Sequence, residues 1–230
     1  MRNLSIIIPA YNEGKRISSV LESILRFFGE DVNVLVVSNG SKDDTVKILI
    51  DWKTKHKNLN FLEFSEKLGK GGAIVEGLKI VNSDLIGFID ADDAFDLGYI
   101  KKILDESNDR FDCIIASKWK GRNFFQVNEP KLRKILSRGW NLFVRIFLNL
   151  EYRDTQAGAK FFKKKVKDSI GFNFISTGFA FDVELLKKIQ NKKFHIEEVY
   201  VPSKHIEGST FKIRHCSNML KDLINIWRHG

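Results

Sequence analysis

Short apolar runs alternate with segments of helical periodicity through the first 120 residues of the chain. The runs are continuous rather than alternating in polarity, which is typical of parallel strands that are covered on both faces. This order predicts an α/β fold in which a mostly parallel central sheet lies between two layers of helices. The predicted strands are 4–8, 32–37, 58–64, 84–89 and 113–117, and the predicted helices are 14–28, 42–56, 71–81 and 97–107.

The second half of the chain is less regular, although no change in composition marks a domain boundary. We therefore expect a single domain over residues 1–230, a length that one domain can have. Helices are predicted at 130–150, 178–190 and 213–227, the last one amphipathic, and strands are predicted at 156–164 and 194–202.

Three carboxylates, Asp90, Asp92 and Asp93, follow the apolar run 85–89. One interpretation is a loop that caps the next helix, which would account for Asp96 and for Asp93. It does not account for Asp90 and Asp92, which lie at the edge where parallel sheets bind ligands. Hard oxygen ligands in this position favour a Mg²⁺ or Mn²⁺ site that is completed by substrate phosphates.

Two further segments fall at the same predicted edge. The segment KLGKGGA (67–73) combines three glycines, which permit close backbone approach, with Lys70 as a cation for phosphate. It does not match the Walker A pattern, and a glycine-rich turn before a helix is common. The segment SNGSKDDT (38–45) is an ordinary strand-to-helix turn, unless the amide of Asn39 pairs with a base edge.

The net charge of +9, from 38 Lys and Arg against 29 Asp and Glu, points to an anionic partner. Nucleic acid, acidic lipid head groups and phosphorylated small molecules all fit this charge, and so does a solvated basic surface that binds nothing. A nucleic-acid-binding module is disfavoured, because the chain has no zinc-finger spacing, RNP-like motif or basic tail.

Two cysteines without metal-ligand spacing, Cys113 and Cys216, fit a reducing, cytoplasmic compartment. The apolar start of the chain is too short for a signal peptide. No segment reaches the roughly 20 apolar residues of a spanning helix. Any contact with a membrane is therefore expected to be peripheral or to involve a separate membrane partner.

Residues 130–150 are the part of the chain best suited to a membrane surface. Basic side chains accompany large apolar ones at helical spacing, as in helices that lie among lipid head groups. The alternative is an ordinary helix that packs on the core and turns a basic face to solvent. The basic residues are Lys131, Arg133, Lys134, Arg138 and Arg145.

Taken in order, these segments resemble the family 2 glycosyltransferases, which have the GT-A fold, a Rossmann-like three-layer sandwich. The likeness begins with SIIIPAYNEG (5–14), continues with NGSKDDT, and includes DADD (90–93) in the place of an Asp-x-Asp metal motif. KLGKGGA, DTQAGAKFF (154–162), FAFDVELL (179–186) and HIEGST (205–210) resemble the polyprenyl-phosphate hexosyltransferases more specifically. Each motif is weak alone, whereas seven in the right order are a strong signal.

The resemblance implies an inverting enzyme, dependent on Mg²⁺ or Mn²⁺, that moves a hexose from a nucleotide-sugar to dolichyl or another polyprenyl phosphate. It implies nucleotide binding by residues 1–120 and acceptor binding by residues 121–230, at the cytoplasmic face of a membrane. Glucose from UDP-glucose is favoured, as in dolichyl-phosphate β-glucosyltransferases, because Ala94 stands where mannose synthases tend to have glutamine. A GDP-mannose-dependent enzyme and a soluble acceptor are the alternatives.

The resemblance also implies roles for individual residues. The nucleotide-sugar is expected to contact Pro9, Ala10, Tyr11, Glu13, Ser38, Asn39, Lys70, Asp90, Ala91 and Asp92, with Asp90 and Asp92 as the metal ligands. The catalytic residues are expected to be Asp154, Gln156 and Asp182, and the acceptor phosphate is expected to contact Lys118, Arg138 and Lys212. Asp154 is expected to orient the acceptor more than to remove a proton, since a phosphomonoester has a second pKa near 6 and is already largely dianionic.

Two departures from the family pattern affect these expectations. Ser38 and Asn39 replace two aspartates, and because an amide can donate as well as accept, the base preference stays open. Lys118 stands where mannose synthases favour arginine, and a lysine cannot form the bidentate hydrogen bonds of a guanidinium to phosphate.

Overall fold

The structure is a computed structural model that describes residues 3–92, 94–107, 110–204 and 215–229. Asp93, the segment 205–210 and Lys212, which the sequence singles out, lie outside these residues. The strands and helices, in chain order, are β1 (Leu4–Ala10), α1 (Ile17–Phe28), β2 (Asn33–Asn39), α2 (Thr45–Lys55), β3 (Leu59–Phe64), α3 (Gly69–Ile80), β4 (Leu85–Ile89), α4 (Leu97–Glu106), β5 (Cys113–Ser117), α5 (Lys131–Leu148), β6 (Ala159–Lys163), α6 (Lys164–Ile170), α7 (Phe181–Asn191), β7 (Ile196–Tyr200) and α8 (His215–His229).

The predicted strands and helices are all present, and α6 is an addition. Its seven residues, KKVKDSI, follow β6 directly and are too few to give a periodic signal in the sequence. Asp96 caps α4 as expected, since its side chain accepts a hydrogen bond from the backbone N–H of Tyr99 at 2.9 Å. Capping therefore accounts for Asp96 and leaves Asp90 and Asp92 to be explained by another role.

The strands form one seven-stranded sheet in the order β3-β2-β1-β4-β6-β5-β7. β1, β2, β3 and β4 run parallel to one another, and β5 runs parallel to β7. Only β6, between β4 and β5, runs antiparallel to both of its neighbours among the described strands. The prediction of a mostly parallel sheet is thus confirmed, and strands from the second half of the chain extend the sheet of the first.

Helices cover both faces of the sheet and bury the continuous apolar runs. In β1, Ile7 packs into one apolar layer with Leu78 of α3, whereas Ile6 and Ile8 pack into the other with Leu21 of α1. Because β1, β2 and β4 are parallel, their carboxyl ends meet at one edge of the sheet. The residues that follow these three strands therefore come together at that edge.

Cys113 of β5 is fully buried, and burial raises the pKa of its thiol to about 12. Because the thiolate is the reactive species, alkylation of Cys113 at pH 8 is expected to be at least about a thousandfold slower in the folded protein than in denaturant. Thiol titration of a Cys216→Ser variant, which leaves Cys113 as the one cysteine, measures this directly. Rapid labelling of the folded variant would contradict the burial of β5.

Candidate active site

A cavity of about 880 Å³ opens at the carboxyl edge of the sheet. Its walls come from the loops after β1, β2 and β4 and from helices α3, α5, α7 and α8. Ala10, Ser38 and Arg138 do not line it. The predicted site residues that do line it are Pro9, Tyr11, Glu13, Asn39, Lys70, Asp90, Ala91, Asp92, Lys118, Asp154, Gln156 and Asp182.

Asn39, at the end of β2, is fixed in one orientation. Its amide nitrogen donates to the carbonyl of Ala10 at 2.9 Å, whereas its Oδ1 is buried and has no hydrogen-bond partner among the described residues. Ser38 lies behind it and donates to the hydroxyl of Ser41 at 3.0 Å. One of the two amide hydrogens is thus used, and the atom without a partner is the acceptor oxygen, which an aspartate would also offer to a ligand.

Glu13 and Arg16 form a paired charge at the start of α1. The guanidinium donates to both carboxylate oxygens of Glu13, at 2.8 and 3.0 Å. Burial raises the pKa of Glu13 to about 7, although Arg16 opposes this rise. The backbone N–H of Glu13 donates to the hydroxyl of Thr45 at 2.8 Å, which ties the loop after β1 to the start of α2.

Two lysines and two aspartates form the charged centre of the site. Lys70 Nζ lies 2.9 Å from Asp90 Oδ1 and 3.1 Å from Asp182 Oδ2. Lys160 Nζ lies 2.6 Å from Asp182 Oδ1 and donates to the carbonyl of Ala157 at 2.8 Å. Asp182 therefore joins two ammonium groups, and Lys70 joins two carboxylates.

The two aspartates of this centre respond to their surroundings in opposite ways. Burial raises the pKa of Asp90 to about 6; Lys70 opposes the rise, and the carboxylates of Asp92 and Asp182 add to it. Burial also acts to raise the pKa of Asp182, but Lys160 and Lys70 together hold it below its usual range. Asp90 thus carries a negative charge that its neighbours only partly compensate.

Asp90 and Asp92 fit a hard divalent cation, because both offer oxygen ligands and a cation would relieve their mutual repulsion. Asp92 Oδ1 accepts a hydrogen bond from the backbone N–H of Ala94 at 3.1 Å, which fixes its side chain. The described part of the chain contains no cluster of three or more acidic, histidine or cysteine ligands. Two carboxylates would leave most of the coordination shell to phosphate oxygens and water, the usual arrangement for Mg²⁺.

The glycines of segment 67–73 are required by the packing of the chain itself. A Cβ added at Gly69 would lie 2.4 Å from the carbonyl oxygen of Thr177, and one at Gly71 would lie 2.4 Å from Cβ of Phe181. Gly69 also has a φ of +79°, which favours glycine. The glycines let α3 begin directly against α7, and this brings the lysine between them next to Asp182. The glycines thus permit close packing against α7, and the predicted close approach to a phosphate stays a prediction.

Asp154 and Lys118 meet on another side of the cavity. Asp154 is buried, and its Oδ2 accepts a hydrogen bond from the backbone N–H of Lys118 at 3.2 Å. Burial raises the pKa of Asp154, although Lys118 opposes this. Lys118 Nζ donates to Glu129 Oε1 at 2.9 Å, and Arg133 Nε lies 3.4 Å from the same oxygen. A carboxylate thus holds two cations at the wall of the cavity.

Arg138 lies over the ring of Trp119, 5.2 Å from its centroid, and Arg133 rather than Arg138 lines the cavity. Gln156 lines the cavity and donates to a backbone carbonyl of the segment before α7 at 2.9 Å. Lys212 is outside the described residues.

Lys160, Arg133 and Glu129 are absent from the predicted site. Lys160 could have been found, because a lysine inside the apolar strand AKFFK must be buried and must have a partner. Arg133 and Arg138 are five residues apart on α5, so they point about 140° away from each other. Which of them faces the cavity depends on the rotation of the helix about its axis, which the local sequence does not determine.

The cavity continues from the charged centre into an apolar groove between α5 and α8. The groove is lined by Leu136, Trp140 and Phe143 of α5 and by Met219 and Leu220 of α8. Charged residues surround one end of the cavity and apolar side chains the other. A ligand that combines an anionic group with a hydrocarbon chain would match both ends.

The outward face of α5 carries five large apolar residues, which are 46–68% exposed: Leu132, Ile135, Leu142, Phe143 and Ile146. Leu132 and Phe143 lie at the border of this face and also line the cavity. The inward face buries Val144 and Leu148 in the apolar core, together with Lys134 and Asn141. An ordinary packed helix turns a polar face to solvent, whereas α5 has large apolar residues on both faces. Exposed apolar clusters of this kind mark interaction surfaces. None of the described helices has the length and apolar character needed to cross a bilayer.

Comparison with known proteins identifies related sequences along most of the chain. The family model "Glycosyl transferase family 2" matches residues 5–190. A dolichyl-phosphate beta-glucosyltransferase of Drosophila melanogaster is 32% identical over 242 aligned positions, which cover 97% of this chain and 74% of that protein. The dolichyl-phosphate beta-glucosyltransferase ALG5D of Trichomonas vaginalis is 30% identical over 238 positions, which cover 97% and 72%.

Solved structures share the fold at lower sequence identity. Glucosyl-3-phosphoglycerate synthase from Mycobacterium tuberculosis, in complex with UDP, superposes with a TM-score of 0.73 at 16% identity and covers 100% of this chain and 81% of its own. The mannosyltransferase PcManGT from Pyrobaculum calidifontis, in complex with GDP-Man and Mn²⁺, gives 0.69 at 16% identity, with 100% and 65% covered. These likenesses confirm the predicted GT-A sandwich. Because the family model spans most of the sequence, the chain belongs to glycosyltransferase family 2.

Proposed function

We propose that this glycosyltransferase moves a hexose, with glucose favoured, from UDP-glucose to dolichyl or another polyprenyl phosphate at a membrane surface. The relatives named dolichyl-phosphate beta-glucosyltransferase support these substrates. The observation that carries the proposal is the cavity, which joins a charged end at Asp90 and Lys70 to the apolar groove between α5 and α8. A polyprenyl phosphate has the same two parts, whereas a soluble sugar has no use for the groove.

The charged end of the cavity suits the diphosphate of a nucleotide-sugar, and residues 1–120 would bind it. Asp90 and Asp92 would hold a Mg²⁺ or Mn²⁺ ion, which when bound neutralises negative charge on the leaving diphosphate. A solved neighbour contains Mn²⁺ together with UDP, which supports this choice of metal. Lys70 is already fixed by two carboxylates, so its charge is in place before the substrate arrives.

The amide of Asn39 offers a base an acceptor for one of its N–H groups. Its buried oxygen would pair with the ring N–H of uracil or guanine, and the exocyclic amino group of adenine or cytosine would suit it as well. This acceptor alone therefore does not select among the bases. The names of the relatives favour UDP-glucose over GDP-mannose.

Residues 121–230, together with Lys118, would bind the acceptor. Lys118 and Arg133 line the cavity and would contact its phosphate, with Arg138 and Lys212 as further predicted contacts. The dianionic phosphate needs positioning rather than proton removal, so the role of Asp154 would be to orient it. A phosphate oxygen forms the new bond to the anomeric carbon while the bond to the UDP oxygen breaks, and in-line attack inverts the configuration.

The outward face of α5 supports the proposal that the protein acts at a membrane surface. Its exposed apolar side chains alternate with Lys131, Arg138 and Arg145, as in helices that lie at the level of lipid head groups. We place the protein at the cytoplasmic face of the bilayer as a peripheral enzyme. A separate membrane protein that covers the same face is the alternative occupant.

Purified protein with Mn²⁺ is expected to transfer glucose from UDP-glucose to a short-chain polyprenyl phosphate and to give a β-linked product. Asp92→Asn is expected to lower kcat/KM at least about a hundredfold, because it removes a ligand of the ion that stabilises the leaving group. The assay follows radiolabelled sugar into the lipid phase, and NMR gives the anomeric configuration.

Asp96→Asn is the matched control for this experiment. Asp96 is an aspartate of the same segment that caps α4, so its replacement is expected to leave transfer close to the wild-type rate. Faster transfer from GDP-mannose would favour the mannose alternative, and transfer only to soluble sugars would refute the lipid acceptor. An α-linked product would refute inversion.

A further inference from the structure

Phe125 is 90% exposed, the highest value among the large apolar residues of the described chain. It lies in the loop between β5 and α5, which begins at Lys118 in the wall of the cavity and ends at the start of α5. A side chain of this size normally avoids such exposure, because its full burial stabilises a protein by about 1.5–3 kcal/mol. The nearly complete exposure of Phe125 therefore suggests that the ring contacts an apolar partner outside the chain.

The loop that presents Phe125 is held in place by side chains. Asn123 Oδ1 accepts hydrogen bonds from the backbone N–H groups of Phe125 and Gln126, at 3.0 and 3.1 Å, and the amide oxygen of Gln126 accepts from the backbone N–H of Asn123 at 3.0 Å. The side chain of Val127, next in the chain, is buried. The exposure of Phe125 thus belongs to an ordered turn.

A buried lysine of α5 ties this turn to the helix. Lys134 Nζ donates to the carbonyl of Phe124 at 2.8 Å and lies 4.9 Å from the centroid of the Phe124 ring. Burying an ammonium group is costly without a partner, and the hydrogen bond to Phe124 offsets part of this cost for Lys134. The turn and the first part of α5 therefore form one connected unit.

We propose that Phe125 is a membrane anchor, which inserts into an anionic bilayer. This inference rests on the proposed function, in which the acceptor is a lipid, and it adds a contact outside the amphipathic helix. The loop lies next to Lys118 in sequence, so its insertion would bring the acceptor side of the cavity to the membrane surface, where the lipid phosphate lies.

The charge of the region selects the kind of membrane. Segment 118–148 contains eight basic residues and a single acidic one, Glu129, whose side chain is only 7% exposed and is paired with two of the basic groups. Anionic head groups complement such a surface. Nucleic acid is also anionic, but four of the five exposed apolar residues of the outward α5 face are leucine or isoleucine and have no rings on which bases could stack. Anionic lipid is therefore the favoured occupant.

The test is a fluorescent reporter at this position. Phe125→Cys is made in a Cys216→Ser background and labelled with the polarity-sensitive dye NBD. The labelled protein is mixed with vesicles of phosphatidylcholine alone or with vesicles that also contain about 30% phosphatidylserine, an anionic lipid. Cys113 is buried and does not compete for the dye. Ile80→Cys in the same background is the matched control, since Ile80 is also exposed, at 61%, but lies at the end of α3 away from the carboxyl edge.

With anionic vesicles, the dye at position 125 is expected to increase several-fold in emission and to be quenched by lipids that carry a spin label on the acyl chain. High salt is expected to weaken this response, and the dye at position 80 is expected to show none of it. Phe125→Ser is expected to lower the vesicle partition coefficient at least about tenfold, the loss expected when one buried phenylalanine is removed.

Two results would overturn the anchor. One is unchanged emission of the dye at position 125 while the protein sediments with anionic vesicles. The other is an equal increase in emission when phosphatidylcholine vesicles alone, or RNA, replace the anionic vesicles. Transfer to a short-chain acceptor in detergent separates this failure from that of the proposed function. If wild-type protein transfers glucose in detergent but position 125 stays in water, the function stands and the anchor does not.

Discussion

Replacing Lys160 by methionine is expected to lower the free energy of unfolding by about 3–5 kcal/mol, the cost of breaking a buried ion pair from one side. Lys160 is fully buried, and its ammonium lies 2.6 Å from Asp182. Methionine has nearly the same length and volume, so the apolar packing of β6 is kept while the charge is lost. Lys70 then faces both Asp90 and Asp182 as the one ammonium of the charged centre.

The loss should also depend on pH. In the wild type the lysines hold the pKa of Asp182 below its ordinary value of 3.8, so the ionised form is favoured by folding. Its contribution to stability is complete above that value and is lost as the pH falls through the lower, folded-state pKa. Without Lys160 the folded-state pKa rises, and acid unfolding is expected to begin at a higher pH than in the wild type.

Denaturant unfolding followed by circular dichroism measures both effects. Lys167→Met is the matched control, because Lys167 is also buried but its ammonium donates to the carbonyl of Val81, at 2.7 Å. Its replacement is expected to cost clearly less, since no carboxylate partner is left behind. The double variant Lys160→Met/Asp182→Asn should recover part of the loss. Equal costs for the two lysines would show that the charge of Asp182 does not depend on Lys160.

The fold could be predicted from the sequence because hydrophobic periodicity is a local signal. Continuous apolar runs such as 84–89 and 113–117 identify buried strands on their own, and their alternation with helices fixes a mostly parallel sheet. The antiparallel direction of β6 could not be predicted in this way. The direction of β6 depends on which strands become its neighbours after the long connection through α5, and tertiary packing decides this.

The site was predictable to the extent that sheet topology determines it. Asp90, Asp92 and Asn39 follow parallel strands, so the fold alone brings them to one edge. Lys160 and Arg133 depend instead on the exact rotation and pairing of β6 and α5. The exposure of large apolar residues on α5 could likewise not be predicted, because the sequence shows that a helix has basic and apolar residues and does not show which of them face solvent.

Gly158→Ala is expected to weaken the binding of Mn²⁺ with UDP about 10–100-fold, the loss in metal affinity that is typical when the groups supporting a ligand are changed. Gly158 lies opposite Asp90, on the strand segment that leads into β6. Its carbonyl accepts a hydrogen bond from the backbone N–H of Asp90 at 2.8 Å, and an added Cβ would lie 2.4 Å from Asp90 Oδ2. That distance is impossible for two non-bonded atoms, so the carboxylate must move.

The direction of the effect follows from what surrounds Asp90. Lys70 contacts the carboxylate of Asp90 on one side, and the backbone of Gly158 borders it on the other side. A methyl group there would push the carboxylate away from the position in which it and Asp92 could share a cation. The fold should survive, because the backbone hydrogen bond between β4 and the β6 segment does not involve the added atom.

Electron paramagnetic resonance of free Mn²⁺, titrated with protein and UDP, measures the binding without any need for turnover. Gly139→Ala is the matched control, since an added Cβ there meets nothing within 4 Å and alanine is the better helix former. It should bind Mn²⁺ and UDP as the wild type does, and circular dichroism should show both variants folded. If Gly158→Ala also binds Mn²⁺ with UDP as the wild type does, the observed position of the Asp90 carboxylate is not required for binding the cation. If both variants and the wild type fail to bind, the two carboxylates do not form a metal site with UDP.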